Sequence, residues 1–253
     1  MLPQLKKAGL GVAAVSYDPQ ALLKRFADAH HIDYPLLSDQ GSAVIRKYGI
    51  LNTNIPEGNM FFGIPFPGDF VLAPDGTITH KHFLPNYQTR PTAAGILLND
   101  FDETRGGPVV TIAADDVQAT ISISTEETAP GTELGVAVKI VVAPGWHIYG
   151  TPLPENYVAT SVTFSYEFIA EQALSLPRAK PLEFKALGET LPVYEKTIRA
   201  KGTILISGRV KPGDYKLAGT LKYQACNETV CKIPQAVPFE LPLRIRAMTP
   251  GLK

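Results

Sequence analysis

Apolar and polar positions follow two different rhythms along this chain, and the change falls near residue 108. From Val109 onward the period is mostly two. Leu134, Val136, Val138, Ile140 and Val142 alternate cleanly with their neighbours, and alternation recurs within Val117 to Ile123 and Phe239 to Ile245. Successive side chains of a strand point to opposite faces, so each stretch predicts a strand with one buried face. Pro130-Gly131, Pro144-Gly145 and Lys211-Pro212-Gly213 punctuate these stretches as turns. Short strands at regular spacing, with no convincing helix among them, predict a β-sandwich.

The first hundred residues alternate strand and helix signals instead. Leu10 to Tyr17 is a continuous apolar run of the kind a buried parallel strand shows. Asp18 is placed to cap a helix with Pro19 in its first position, and Leu22, Leu23, Phe26 and Ala29 recur at helical spacing. Tyr34 to Leu37 predicts a short strand, and Ser42 to Tyr48 a second helix with Val44, Ile45 and Tyr48 inward. Phe70 to Ala73, the turn Pro74-Asp75-Gly76 and Thr77 to Phe83 predict a hairpin. Thr92 to Phe101 predicts a closing helix with Ile96, Leu97, Leu98 and Phe101 apolar, and the charged, then Gly-Gly-Pro stretch 102–108 a linker. The expected class is therefore α/β followed by all-β, with domains at 1–101 and 109–253.

A length of 253 residues suits two domains. With 24 Lys+Arg against 24 Asp+Glu, charge points neither to nucleic acid nor to an anionic membrane. Gly 21 and Pro 22 together make up about one residue in six, above average usage, which fits many turns between short strands. No apolar stretch approaches the ~18 residues that span a bilayer. Residues 1–20 show no secretory signal, which fits either a cytosolic protein or a chain whose natural N-terminus has been removed; the opening residues favour the second.

The two cysteines, Cys226 and Cys231, are separated by the polar insert Asn227 to Val230. If that insert turns like a hairpin, the cysteines face each other with Cβ atoms ~4.5–5.5 Å apart, within small adjustment of an S–S bond. Closing so short a loop contributes only about 2 kcal/mol, little for a segment able to build its own core. The spacing favours a pair that is made and broken, over a passive structural disulfide or two free thiols. Compartment orders the last two, since disulfides persist outside the cytosol.

Three ordered patterns over roughly residues 115–245 resemble the N-terminal periplasmic domain of thiol:disulfide interchange protein DsbD. They are Gly145-Trp146-His147-Ile148-Tyr149, then Glu183-Phe184 with Gly188 and Pro192-Val193-Tyr194-Glu195, then Tyr223-Gln224-Ala225-Cys226 with Cys231 and Pro234. The resemblance implies an immunoglobulin-like sandwich with one reversible disulfide that passes electrons to thioredoxin-fold or other thiol–disulfide proteins in a periplasmic or extracytoplasmic setting. It implies that Cys226 and Cys231 exchange, with Cys231 forming mixed disulfides. Phe184 would cap the pair, with Tyr149 and Tyr223 in the same pocket. The chain departs from the family in having four residues between the cysteines rather than five, and a longer stretch between Phe184 and Tyr194.

Residues 1–101 resemble the later part of a thioredoxin-fold domain of the peroxiredoxin, or AhpC/TSA (redoxin), class. The resemblance rests on Gly63-Ile64-Pro65-Phe66-Pro67-Gly68-Asp69-Phe70-Val71-Leu72 and Pro74-Asp75-Gly76-Thr77-Ile78. It implies a cis-proline at Pro67. Those enzymes carry their reactive cysteine before the point matched by Met1 to Lys7, and no cysteine precedes Cys226 here. Thiol peroxidase chemistry needs a thiolate, so this half as given is expected not to act as a peroxidase. Either this domain is N-terminally incomplete or it serves as a scaffold, and the apolar edges left by a missing first strand favour the first.

The remaining candidates are weak. His80 and His82 share a strand face but lack further ligands nearby, and read as surface imidazoles rather than a metal site. Asp115-Asp116 and Glu126-Glu127 read as turn and solvent-facing charge, and no phosphate loop is present. No cofactor is expected. The leading function is an electron relay through Cys226 and Cys231. The alternatives are a peroxiredoxin- or thioredoxin-like oxidoreductase in its full-length form, with the sandwich as internal donor, and a non-enzymatic binding module with an inert disulfide.

Overall fold

The computed structural model describes residues 2–83, 90–101, 107–165, 167–184 and 188–247. They form two compact units, Met1–Arg90 and a larger one starting at Pro91. Most of the expected linker, 102–106, lies outside the described residues.

The first unit runs α1 (Leu2–Lys7), β1 (Ala14–Ser16), α2 (Gln20–His30), β2 (Leu36–Ser38), α3 (Ala43–Lys47), β3 (Gly68–Leu72) and β4 (Ile78–Phe83). The α/β order matches the sequence reading, and β1 pairs in parallel with β2, Ala14 opposite Leu36. The ribbon is not buried as a parallel strand usually is: Val15 is 48% and Leu37 49% exposed. Two strands alone leave a face uncovered, which the apolar run by itself does not reveal. Leu23 and Ile45 are the buried residues of α2 and α3, whereas Leu22, Phe26, Val44 and Tyr48 are exposed.

Asp18 does not cap α2. Pro19 occupies the N-cap without a side-chain bond, and the Asp18 carboxylate accepts from Ser16 Oγ instead. Asp39 caps α3 in its place, accepting from the amides of Ile45 at 2.8 Å and Val44 at 3.0 Å. Those amides hold its carboxyl below the ordinary range, the Ile45 bond most of all.

The hairpin of β3 and β4 forms as the turn residues dictate. Asp75 Oδ1 accepts from the Thr77 amide at 2.9 Å, and Gly76 takes a φ of 85°. Pro67 is not the cis-proline expected from the resemblance; the cis peptide among the described residues is Thr151–Pro152. Pro67 lies between the Leu51–Pro65 bridge and the start of β3, where the chain enters a strand. No tight turn there offsets the trans preference of about 0.5–1 kcal/mol.

After β5 (Arg90–Pro91) and α4 (Ala93–Phe101), the larger unit is all β: β6 (Val109–Ala113), β7 (Val117–Ile123), β8 (Glu127–Thr128), β9 (Thr132–Val142), β10 (His147–Tyr149), β11 (Ser161–Phe164), β12 (Ile169–Leu174), β13 (Lys180–Phe184), β14 (Glu189–Tyr194), β15 (Thr197–Ile206), β16 (Gly213–Tyr223), β17 (Ala225–Cys226) and β18 (Gln235–Ile245). One sheet has the order β12-β15-β9-β7-β6 and a second β11-β16-β18-β8. Their inward residues share one core, the sandwich expected from the period of two. In β18 every second residue from Phe239 to Ile245 is buried. Pro238 and Pro242 fall where the outer edge of β18 has no partner, since β8 pairs only with Arg244 and Ile245.

The helix α4, expected to close the first domain, packs against the sandwich instead. Leu97 and Leu98 are buried, and a Cβ added at Gly135 on β9 would sit 3.0 Å from the Gly95 Cα. Two glycines facing each other let helix and strand approach more closely than any pair with Cβ atoms could. The unit boundary accordingly falls before this helix rather than after it. A third sheet, β13-β14-β10-β17, carries Cys226, and Cys231 joins it as an isolated bridge.

Candidate functional site

Asn227 builds the turn between the cysteines. Its Oδ1 accepts from the Val230 amide at 2.8 Å, the Thr229 amide at 2.9 Å and Thr229 Oγ1 at 3.1 Å. The Asn227 amide donates to the Val230 carbonyl, and Lys232 N donates to the Ala225 carbonyl, each at 2.9 Å. Cys226 and Cys231 thus meet as an antiparallel bridge with Cα atoms 4.1 Å apart, joined as a disulfide. The two sulfur-bearing residues differ sharply in access. Cys226 is 1% exposed, while Cys231 is open to solvent between Val230 and Ile233, themselves 52% and 80% exposed.

The face of the third sheet around Cys226 is aromatic. His147 pairs across the ladder with Cys226, and Tyr149, two residues on, projects on the same side. Tyr149 Oη donates to Cys226 Sγ at 3.2 Å and lies 3.8 Å from Cys231 Sγ. Burial, then the nearby Tyr157 and Glu189, push the Tyr149 phenol up to about 12, so it stays a donor at neutral pH. Tyr157 packs at 4.9 Å from Tyr149 and donates to Glu189 at 3.1 Å. Phe184, half-buried, joins the apolar cluster of Tyr149, Leu191, Val193 and Cys226, and its ring lies 5.1 Å from that of His147. His147 is 6% exposed, and its Nε2 has no hydrogen-bond partner among the described residues. Burial holds this imidazole below its ordinary pKa, opposed by the Glu195 carboxylate.

Of the residues singled out in the sequence, Cys226, Cys231, Tyr149 and Phe184 come together. Tyr223 does not: it lies in the main sandwich core, 2% exposed, because its place at the end of β16 points it between the two larger sheets. Pro67 belongs to the other unit. Sequence reasoning missed His147, whose spacing of two from Tyr149 was the available signal, and Tyr157. It also missed the anchor beside Cys231: Lys232 Nζ lies 3.5 Å from the buried Asp116 carboxylate and 4.6 Å over the Trp146 ring. Among the described residues no group of three or more His, Cys, Asp or Glu is placed to hold a metal.

The disulfide thus joins one buried and one exposed cysteine, and exchange at such a bond depends on which sulfur an attacking thiolate can reach. The model of the family "thiol:disulfide interchange protein DsbD, N-terminal" matches residues 116–242, and the chain belongs to this family. Residues 1–81 match the AhpC/TSA family. In that part the chain is 33% identical over 79 residues to peroxiredoxin Bcp of Escherichia coli (strain K12), covering 31% of this chain and 50% of the relative. It is 33% identical over 75 residues to the chloroplastic peroxiredoxin Q of Arabidopsis thaliana, covering 30% and 32%. The chain thus spans about half the length of Bcp. Among solved structures, the N-terminal periplasmic domain of ScsB from Proteus mirabilis aligns at a TM-score of 0.39 and 17% identity, over 53% of this chain and 49% of that one. The reduced DsbD N-terminal domain of Neisseria meningitidis aligns at 0.29 and 18%, over 58% and 97%. The family assignment rests on the match over 116–242, not on these low-scoring likenesses.

Proposed function

We propose that this chain relays electrons by thiol–disulfide exchange at Cys226 and Cys231 in an extracytoplasmic compartment, with thioredoxin-fold or similar dithiol proteins as partners. The observation that carries the reading is the difference in access between the exposed Cys231 and the buried Cys226. A partner thiolate attacks Cys231 Sγ, an intermolecular S–S bond forms, and the electron pair of the old bond leaves on Cys226 Sγ. The partner's second thiol then loses its proton and attacks its own bonded sulfur, releasing Cys231. The partner dithiol is oxidised to a disulfide, the Cys226–Cys231 bond is reduced to two thiols, and both protons are retained. Tyr149 donates to the sulfur that departs, and Phe184 covers the Cys226 side of the pair between encounters. Partner surfaces cover Val230 and Ile233, the exposed apolar residues flanking Cys231.

Thiol trapping in graded glutathione or dithiothreitol buffers tests this reading. The expected midpoint is roughly −180 to −270 mV, within reach of thioredoxin-like partners, and a value below about −300 mV overturns it in favour of a structural bridge. The match of residues 1–81 to the AhpC/TSA family favours a second reading, in which the sandwich is the internal electron donor of a longer peroxiredoxin-like protein. Peroxide consumption by the full-length protein that is lost on Cys226→Ser/Cys231→Ser would support it.

A further inference from the structure

We infer that His147 is a positioning residue for the reduced state: when the disulfide opens, its imidazole becomes the hydrogen-bond partner of the Cys226 sulfur. The pair is thereby made easier to reduce. This rests on the proposed exchange at Cys226 and Cys231.

Three observations converge on His147. It stands directly across the ladder from Cys226, so both side chains leave the sheet on one face, with Cβ atoms ~4.5–5.5 Å apart. Its ring lies 5.4 Å from that of Tyr149, whose hydroxyl already reaches both sulfurs. Its Nε2 is buried and has no partner in the disulfide form among the described residues. A buried polar atom left unpaired is a standing cost, and native sites rarely carry one without a reason.

The chemistry of the opening supplies the missing partner. A disulfide sulfur has no hydrogen to donate and is a weak acceptor. Once the bond breaks, Cys226 holds first a thiolate and then, after taking up a proton, a thiol. Either form pairs with a neutral imidazole: N–H donates to the thiolate, or the bare nitrogen accepts from S–H. Burial keeps His147 neutral, so both options remain open at neutral pH. Phe184 packs against the imidazole with ring centroids 5.1 Å apart, and Nε2 is buried in the oxidised state. A contact made only after reduction stabilises the dithiol alone, and so raises the reduction potential.

The test is the midpoint of His147→Phe, which keeps a ring and removes the nitrogens, beside His147→Gln, which keeps an amide donor and acceptor. His147→Phe is expected to shift the equilibrium with dithiothreitol toward the disulfide by about tenfold, about 30 mV, while His147→Gln stays within about threefold of the parent. Equal midpoints for the parent and His147→Phe overturn the inference, as does an equal shift in both variants. The comparison is a difference between proteins, so it stands whatever the parent's absolute midpoint; a parent value below about −300 mV sinks the exchange reading instead. If His147→Phe does not fold, the imidazole nitrogen resonances of the unmodified protein decide. Nε2 is expected to shift when dithiothreitol reduces the pair, and an unmoved resonance overturns the inference.

Discussion

The Tyr149 hydroxyl donates to Cys226 Sγ at 3.2 Å from a position buried to 2% exposure. Because the phenol is pushed up to about 12, it cannot compete as an anion with the departing thiolate near neutrality. Hydrogen bonds to charged groups contribute about 1.5–3 kcal/mol, so Tyr149→Phe should slow reduction by a dithiol about tenfold or more. The factor should be the same at pH 7 and pH 9, both below the titration of the phenol. Stopped-flow rates at the two pH values check this, and a change under about twofold would show the bond idle.

The unequal access of the two sulfurs assigns the roles within the pair. Removing the buried resolving thiol should trap the covalent intermediate, because no neighbouring sulfur remains to displace the partner. Cys226→Ser should therefore accumulate a mixed disulfide through Cys231 when offered a thioredoxin-fold protein whose resolving cysteine is absent and whose remaining cysteine carries a thionitrobenzoate group, which leaves as the thiolate when the Cys231 thiolate attacks. Cys231→Ser should not, since its remaining sulfur is buried. Non-reducing gels with mass mapping read the outcome, and adducts on Cys226 would reverse the roles.

Much of this site was legible because strict alternation fixes which side chains face inward. The turn from Asn227 to Val230 and the buried faces of β7, β9 and β18 follow from local pattern alone. Other features depend on which strands become neighbours. His147 faces Cys226 only because β10 pairs with β17, residues far apart in sequence. Tyr223 precedes Cys226 closely, yet it faces the main core together with Ala225, while Cys226 points to the opposite, aromatic face. The apolar face of α4 is equally clear in the sequence, but its partner on β9 depends on the meeting of Gly95 and Gly135.

Gly135→Ala tests that meeting. A Cβ there would sit 3.0 Å from the Gly95 Cα and 3.0 Å from Leu98 Cδ2, tight enough that the α4 backbone and the Leu98 side chain must give by a few tenths of an ångström. Overpacking of this kind costs about 1–3 kcal/mol, which lowers the melting temperature of a unit this size by about 2–10 °C. Gly208→Ala, with nothing within 4 Å of the added carbon, is the neutral control. Equal melting temperatures for both variants would detach α4 from the sandwich.

Lys232 ties the segment between Cys231 and β18 to the sandwich through Asp116, whose side chain is only 4% exposed. Lys232→Met leaves that carboxylate buried and unpaired, and should cost about 1–3 kcal/mol in denaturant unfolding. Adding Asp116→Asn should restore much of the loss, because the penalty comes from the unpaired charge. Additive losses in the double variant would mean that the two residues act independently.

Phe184 separates two descriptions of the aromatic face, as a shield or as ordinary packing. Its ring lies on His147 and on the cluster holding Cys226, yet the side chain is only half-buried on β13. A shield works on approach: the ring covers the Cys226 side of the bond, so displacing it adds a path for a small thiol to the one that Cys231 leaves open. Phe184→Ala should then speed reduction by glutathione about fivefold or more, since exchange rates depend on access to the attacked sulfur. Its reduction potential should move less than its rate, because the ring restricts the path in both directions. If Phe184 only packs, the variant should unfold more easily by about 3 kcal/mol while its glutathione rate stays that of the parent. Rates with glutathione and with a dithiol protein, taken alongside denaturant unfolding, distinguish the two: an unchanged small-thiol rate removes the shield.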